Sequence, residues 1–132
     1  MLELQAHLHE NLPQELFLEM KRIIQKCRSM PEVYLFSACR KHAADAQEEF
    51  NRNPHFNLKA ADQLATAFSD VQLAFPKLPE PAQVGLKAAM YYFALDDDGQ
   101  PDFATFDGLD DDILVANCCF EFAQRSDLII HL

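Results

Sequence analysis

Pro13-Gln14-Glu15-Leu16-Phe17-Leu18-Glu19-Met20-Lys21-Arg22-Ile23-Ile24-Gln25-Lys26-Cys27-Arg28 is the stretch whose reading decides the fold. Leu16, Phe17, Met20, Ile23, Ile24 and Cys27 recur at the i, i+1, i+4, i+7, i+8 and i+11 positions of one helical face, and charged residues take much of the opposite side. A half-buried strand would need apolar and polar residues to alternate, and no segment of the chain does so over a useful length. Pro13 near the first turn and Met30-Pro31 beyond the last bound this helix.

The same period continues downstream. A second helix is expected from Pro31 to about Phe50, with Val33, Phe36, Cys39 or Arg40, Ala43, Ala46 or Gln47, and Phe50 on one side; Asn51-Arg52-Asn53-Pro54 ends it. Asn57 is placed to cap a third helix, in which Leu58, Ala61, Leu64, Ala65, Phe68, Val71 and Phe75 keep helical spacing until Pro76. Pro76-Lys77-Leu78-Pro79-Glu80-Pro81 reads as a stiff connector whose Pro81 opens a fourth helix ending near Leu95, with Val84, Ala88, Tyr91 and Leu95 inward. Asp110 is placed to cap a fifth, with Ile113, Ala116, Asn117, Phe120 and Ala123 or Gln124 inward. The tail from Ser126 to Leu132 is short and apolar, so it docks on the body or covers a partner. The expected architecture is a single all-α, bundle-like domain over residues 1–132 with about five helices.

Composition narrows the function classes. The 132 residues are 49% hydrophobic with 11 Phe and only 3 Gly, enough apolar material to fold alone. A net charge of -10 argues against nucleic acid or an anionic membrane as partner and favours a basic protein or a metal cation. The longest uncharged apolar stretches, Ala88 to Leu95 and Ile113 to Phe120, fall far short of the ~20 residues that span a bilayer, so no membrane span is expected. Met1-Leu2-Glu3-Leu4-Gln5 lacks the basic start and apolar run of a signal peptide, and a cytoplasmic location is the expectation. Cys27, Cys39, Cys118 and Cys119 form no Cys-x-x-Cys pair and read as reduced, buried thiols in preference to a Cys27 to Cys39 bridge. His7, His9, His42, His55 and His131 lack zinc-binding spacing, and no nucleophile elbow or phosphate-binding loop occurs, so no catalytic residue is nominated and the reading leans away from an enzyme without deciding it.

The charge is not spread evenly. Between Lys87 and Arg125 there is no basic residue, while that interval holds Asp96, Asp97, Asp98, Asp102, Asp107, Asp110, Asp111, Asp112 and Glu121; the rest of the chain has 12 acids against 11 bases. Crowded carboxylates repel one another and need solvent, caps, counter-charges or a cation. Asp110, Asp111 and Asp112 fall where a helix N-terminus offers unpaired N–H groups, and Asp98-Gly99 and Asp107-Gly108 are turn dipeptides. Lys21, Arg22, Lys26 and Arg28, or Arg40 and Lys41, are candidate intramolecular counter-charges. Asp96-x-Asp98-Gly99-x-x-Asp102 keeps part of a calcium-binding spacing, yet aligning Gly99 with the invariant EF-hand glycine puts Ala94 at the first ligand position and Thr105 where a bidentate Glu belongs, so an EF-hand is excluded. A different site for calcium or magnesium, built from Asp98, Asp102, Asp111 and Asp112, is the alternative to caps and turns, which lead for these four residues. Tyr91, Tyr92, Phe93, Phe103 and Phe106 flank the interval and read as core before they read as a ligand pocket.

Tyr92-Phe93-Ala94-Leu95, Asp98, Pro101-Asp102-Phe103, Gly108 and Asp111-Asp112-Ile113-Leu114-Val115 stand in an order and spacing that resembles the signature of the small bacterial YkvA-like domains. The resemblance implies a helix, a bend carrying Asp-x-x-Pro-Asp, a glycine turn and a helix opened by Asp-Asp; it implies no activity. Asp96 stands where that family usually has Pro, and Gly99-Gln100 replaces an apolar pair before Pro-Asp, which makes the bend more hydrophilic here. The functional expectation is a non-enzymatic binding or regulatory module whose acidic loop faces a basic protein partner, with a divalent-cation protein as the alternative.

Overall fold

The computed structural model describes residues 2–52, 54, 57–95 and 109–131. The described residues form six α-helices and no strand: α1 (Leu2–Asn11), α2 (Gln14–Cys27), α3 (Glu32–Arg52), α4 (Leu58–Val71), α5 (Glu80–Ala94) and α6 (Asp110–Phe122). The all-α class is as the periodicity predicts, with one helix more than expected. The addition is α1, whose sequence is mostly polar and whose inward face is a thin stripe, Leu4 and Leu8, continued by Leu12 after the helix ends. Two inward leucines on ten residues carry little local signal; α1 is held by packing against α2, α5 and α6.

The helix that decides the fold behaves as its spacing predicts: Leu16, Phe17, Met20, Ile23, Ile24 and Cys27 of α2 are all buried. In α3, Phe36, Cys39 and Ala46 are buried on the expected side and Phe50 packs against the core, while at the start of the helix Leu35 is buried and Val33 is 64% exposed. The Asn57 side chain accepts a hydrogen bond from the Ala60 N–H at 3.1 Å and caps α4. That helix ends at Val71, short of Phe75, which sits in a separate 3-10 turn (Phe75–Lys77) with its ring edge-on to Phe36 at 5.6 Å between centroids. Gln83 donates to the Phe75 carbonyl at 2.9 Å and ties this connector to the start of α5.

The middle of the molecule is α5. It packs on α1, α2, α3 and α6, and nine of its residues are buried, well beyond the single stripe of Val84, Ala88, Tyr91 and Leu95 expected for a surface helix. Gly85 lets α1 approach α5 closely: a Cβ there would lie 3.1 Å from Leu4 Cδ1, a tight contact, and 3.9 Å from Cys119 Sγ. The four cysteines are free and buried, and no described helix is long and apolar enough to cross a membrane. Beyond α6 the chain docks on the body. Leu128 and Ile130 are buried, and the Asn117 side chain donates to the Ile130 carbonyl (3.1 Å) and accepts from the Ile130 N–H (2.8 Å).

Candidate functional site

The acidic interval enters the described structure at Leu109, which is buried, and continues into the first turn of α6. Successive helical residues turn by about 100°, so three consecutive aspartates cannot share a face. Asp110 and Asp111 are exposed; Asp112 is only 4% exposed and falls in line with Val115, Ala116 and Cys119 on the inward face. All three lie in the turn whose free N–H groups carry partial positive charge, which favours carboxylates there without any ligand. The expected capping arrangement is shifted by one residue: Leu109 occupies the N-cap position with no side-chain hydrogen bond, and Asp110 is the first helical residue.

Of the four residues nominated for a cation, Asp98 and Asp102 lie outside the described residues, as do Asp96, Asp97, Asp107 and the aromatic neighbours Phe103 and Phe106. The other two, Asp111 and Asp112, are not brought together, one being exposed and one buried. Among the described residues, no group of three or more His, Cys, Asp and Glu is arranged to hold a metal.

Three of the six candidate counter-charges, Lys21, Arg22 and Arg40, are engaged on their own helices or with neighbours. Arg22 pairs with Glu19 one turn away on α2, and the Lys21 ammonium sits 5.6 Å from the centroid of the Phe17 ring. Arg40 donates to Gln72 Oε1 and Ser37 Oγ, each at 3.3 Å, and Lys87 donates to the Arg28 carbonyl at 3.3 Å. Arg125, the base that closes the acid-rich interval in sequence, donates twice to Asp127, at 3.0 and 2.9 Å, and that bonding holds the Asp127 carboxyl below its usual range. Among the described residues, no Lys or Arg is ion-paired with Asp110 or Asp111.

Behind this charged end the molecule is apolar. Tyr92 and Phe93 are buried in α5, and His42 meets the Phe93 ring edge-on at 4.7 Å, so these aromatics are core, as their spacing predicts. Cys118 and Cys119 are buried on α6, and burial pushes the Cys118 thiol up to about 12 and Cys119 well above its usual range. A thiol so protonated is a poor nucleophile, which removes both from the list of reactive groups. His7 is not a plain surface residue: its Nε2 lies 3.1 Å from the Cys118 carbonyl and, as the protonated ring nitrogen, donates to it.

One feature was not foreseen in the sequence. The docked tail and α4 flank an open groove of about 870 Å³, lined by residues of both and by Phe50, Pro54 and Asn57. The only clue to its outer wall is the spacing of Leu128 and Ile130, which turn inward while Ile129 is only half-buried. Tested against protein-family models, curated proteins and solved structures, the chain matches none of them.

Proposed function

We propose that this protein is a non-enzymatic binding module that presents its acidic interval to a basic protein surface. The observation that carries this reading is the placement of charge. Nine of 21 acids fall between Lys87 and Arg125 with no base among them, and at the described end of that interval Asp110 and Asp111 face solvent, unpaired with any described Lys or Arg. A run of carboxylates without bases lowers the local potential, speeds encounter with a positively charged surface and repels polyanions. The resemblance of Tyr92 to Val115 to the YkvA-like domains belongs to the same proposal; it supports a helix, bend and helix neighbourhood and adds no activity.

The test compares wild type with a variant in which Asp96, Asp97, Asp98, Asp102, Asp107, Asp110 and Asp111 are changed to Asn, its helical content checked by circular dichroism. Each is immobilised and exposed to a cell lysate at low salt, and the retained proteins are identified, purified and returned to the immobilised chain. A basic protein held by wild type and lost by the variant, associating more slowly as salt rises, is the expected result. Equal retention by both chains, or a partner whose association is indifferent to salt, overturns the reading.

A further inference from the structure

The segment that follows α6 is held as an extended peptide is held in a receptor. Leu128 and Ile130, two residues apart, are buried; Ile129 between them is half-buried and extended, and the Asn117 side chain bonds both the N–H and the carbonyl of Ile130. A side-chain amide that engages both main-chain polar groups of one residue grips the backbone, and sockets for alternate side chains select the sequence. The segment that demonstrably fits this cleft is the chain's own.

The hinge that delivers the segment is short and strained. Only Ala123 to Arg125 lie between α6 and the 3-10 turn (Ser126–Leu128), and Gln124 among them holds φ at 61°, a conformation in which a side chain costs energy. On the side facing α4 the tail borders the open groove, so that flank is not fully packed against the body. Arg125 donates to Asp127 within the same segment, a pair that stays intact if the tail moves. Short, strained hinges are where identical chains exchange segments, because the exchanged form rebuilds the closed contacts and frees the hinge.

We propose that the cleft beside Asn117 takes residues 126–131 from a second copy of this chain, the tail swinging out about Gln124 and docking in trans. The Asn117 bonds and the burial of Leu128 and Ile130 are the same in both forms. What differs is relief of strain at Gln124, set against the proximity of a tethered tail, which acts as a local concentration of roughly millimolar order. The closed form therefore leads in dilute solution, and exchange grows with protein concentration. The inference is independent of the basic-protein reading, since it uses none of the interval from Asp96 to Asp112.

Two variants of the full chain separate the parts: Asn117→Ala keeps the tail and spoils the cleft, whereas Leu128→Ala with Ile130→Ala keeps the cleft and spoils the tail. Both are checked for helical content by circular dichroism and mixed at about 0.3 M salt, which screens the repulsion between two chains of charge -10. In analytical ultracentrifugation the mixture is expected to form a one-to-one dimer at least about tenfold tighter than either variant's self-association. Adding Asn117→Ala to the tail-spoiled variant is expected to remove the pairing. Wild type, which carries no substitution that might unfold it, is titrated with a synthetic peptide of residues 125–132; displacement of the tethered tail is expected to shift the Asn117 side-chain amide resonances. A mixture that stays monomeric, pairing that survives the loss of Asn117, or an Asn117 amide unmoved by peptide at roughly millimolar concentration overturns the proposal.

Discussion

Gln124 holds φ at 61°, in the left-handed region that glycine occupies at helix ends, and from there the Arg125 N–H returns to the Phe120 carbonyl at 2.8 Å. A side chain in that conformation is strained, so Gln124→Gly is expected to raise stability by about 0.5–1 kcal/mol in urea unfolding. Removing the α4 cap acts the other way: Asn57→Ala is expected to cost about 0.5–2 kcal/mol by the same measurement. Burial pushes the thiols of Cys39 and Cys118 up to about 12 and that of Cys27 up to about 11, from an ordinary 9. A thiol pKa raised by folding means that the folded chain keeps protons that the unfolded chain has released. The associated stability is therefore whole below about pH 9 and is lost as pH climbs toward 12. Iodoacetamide is expected to leave all four thiols unlabelled at neutral pH and to label them only on unfolding. At this scale the Asn57 cap was legible and the α6 cap was not. A side-chain cap is worth about 1 kcal/mol, whereas burying Leu109 is worth roughly 1.5–3, and the apolar residue sets where α6 begins.

Among the elements, α2, α4 and α5 were legible from periodicity because each carries a wide apolar face or starts at a clear cap or proline. The length of α5 was readable and its centrality was not: a stripe of Val84, Ala88, Tyr91 and Leu95 describes one side of a helix that neighbours cover on nearly all sides. In α3 the side through Phe36, Cys39 and Ala46 was legible, and the packing of α4 and α5 against it buries Leu35 and leaves Val33 exposed. The helix α1 depends most on tertiary contact, and Gly85 is where that dependence is exposed. Gly85→Val is expected to press on Leu4, lower stability by about 1–3 kcal/mol and speed hydrogen exchange first in α1. For the tail, Asn117→Ala removes both bonds to Ile130 and is expected to cost about 1–3 kcal/mol, with faster amide exchange at Ile130.

For the whole molecule, a charge of -10 is misleading as an average, since outside one interval the chain is almost neutral. The location of that charge was legible residue by residue. Which carboxylates face water was less so, because Asp110, Asp111 and Asp112 differ only by rotation about α6, and the packing of Val115, Ala116 and Cys119 turns Asp112 inward. The central claim is that the interval's charge is left for an external basic partner to neutralise and is not consumed by pairs within the chain. Thermal unfolding across a salt series tests it most directly, comparing wild type with the variant carrying Asp96, Asp97, Asp98, Asp102 and Asp107 all as Asn, a residue that keeps turn-forming ability. Relief of repulsion is expected to make the variant the more stable chain at low salt, with the difference closing as ions screen the wild type at about 0.5 M. A variant less stable than wild type at low salt, with a deficit that shrinks as salt rises, would show those carboxylates already paired inside the molecule and contradict the claim.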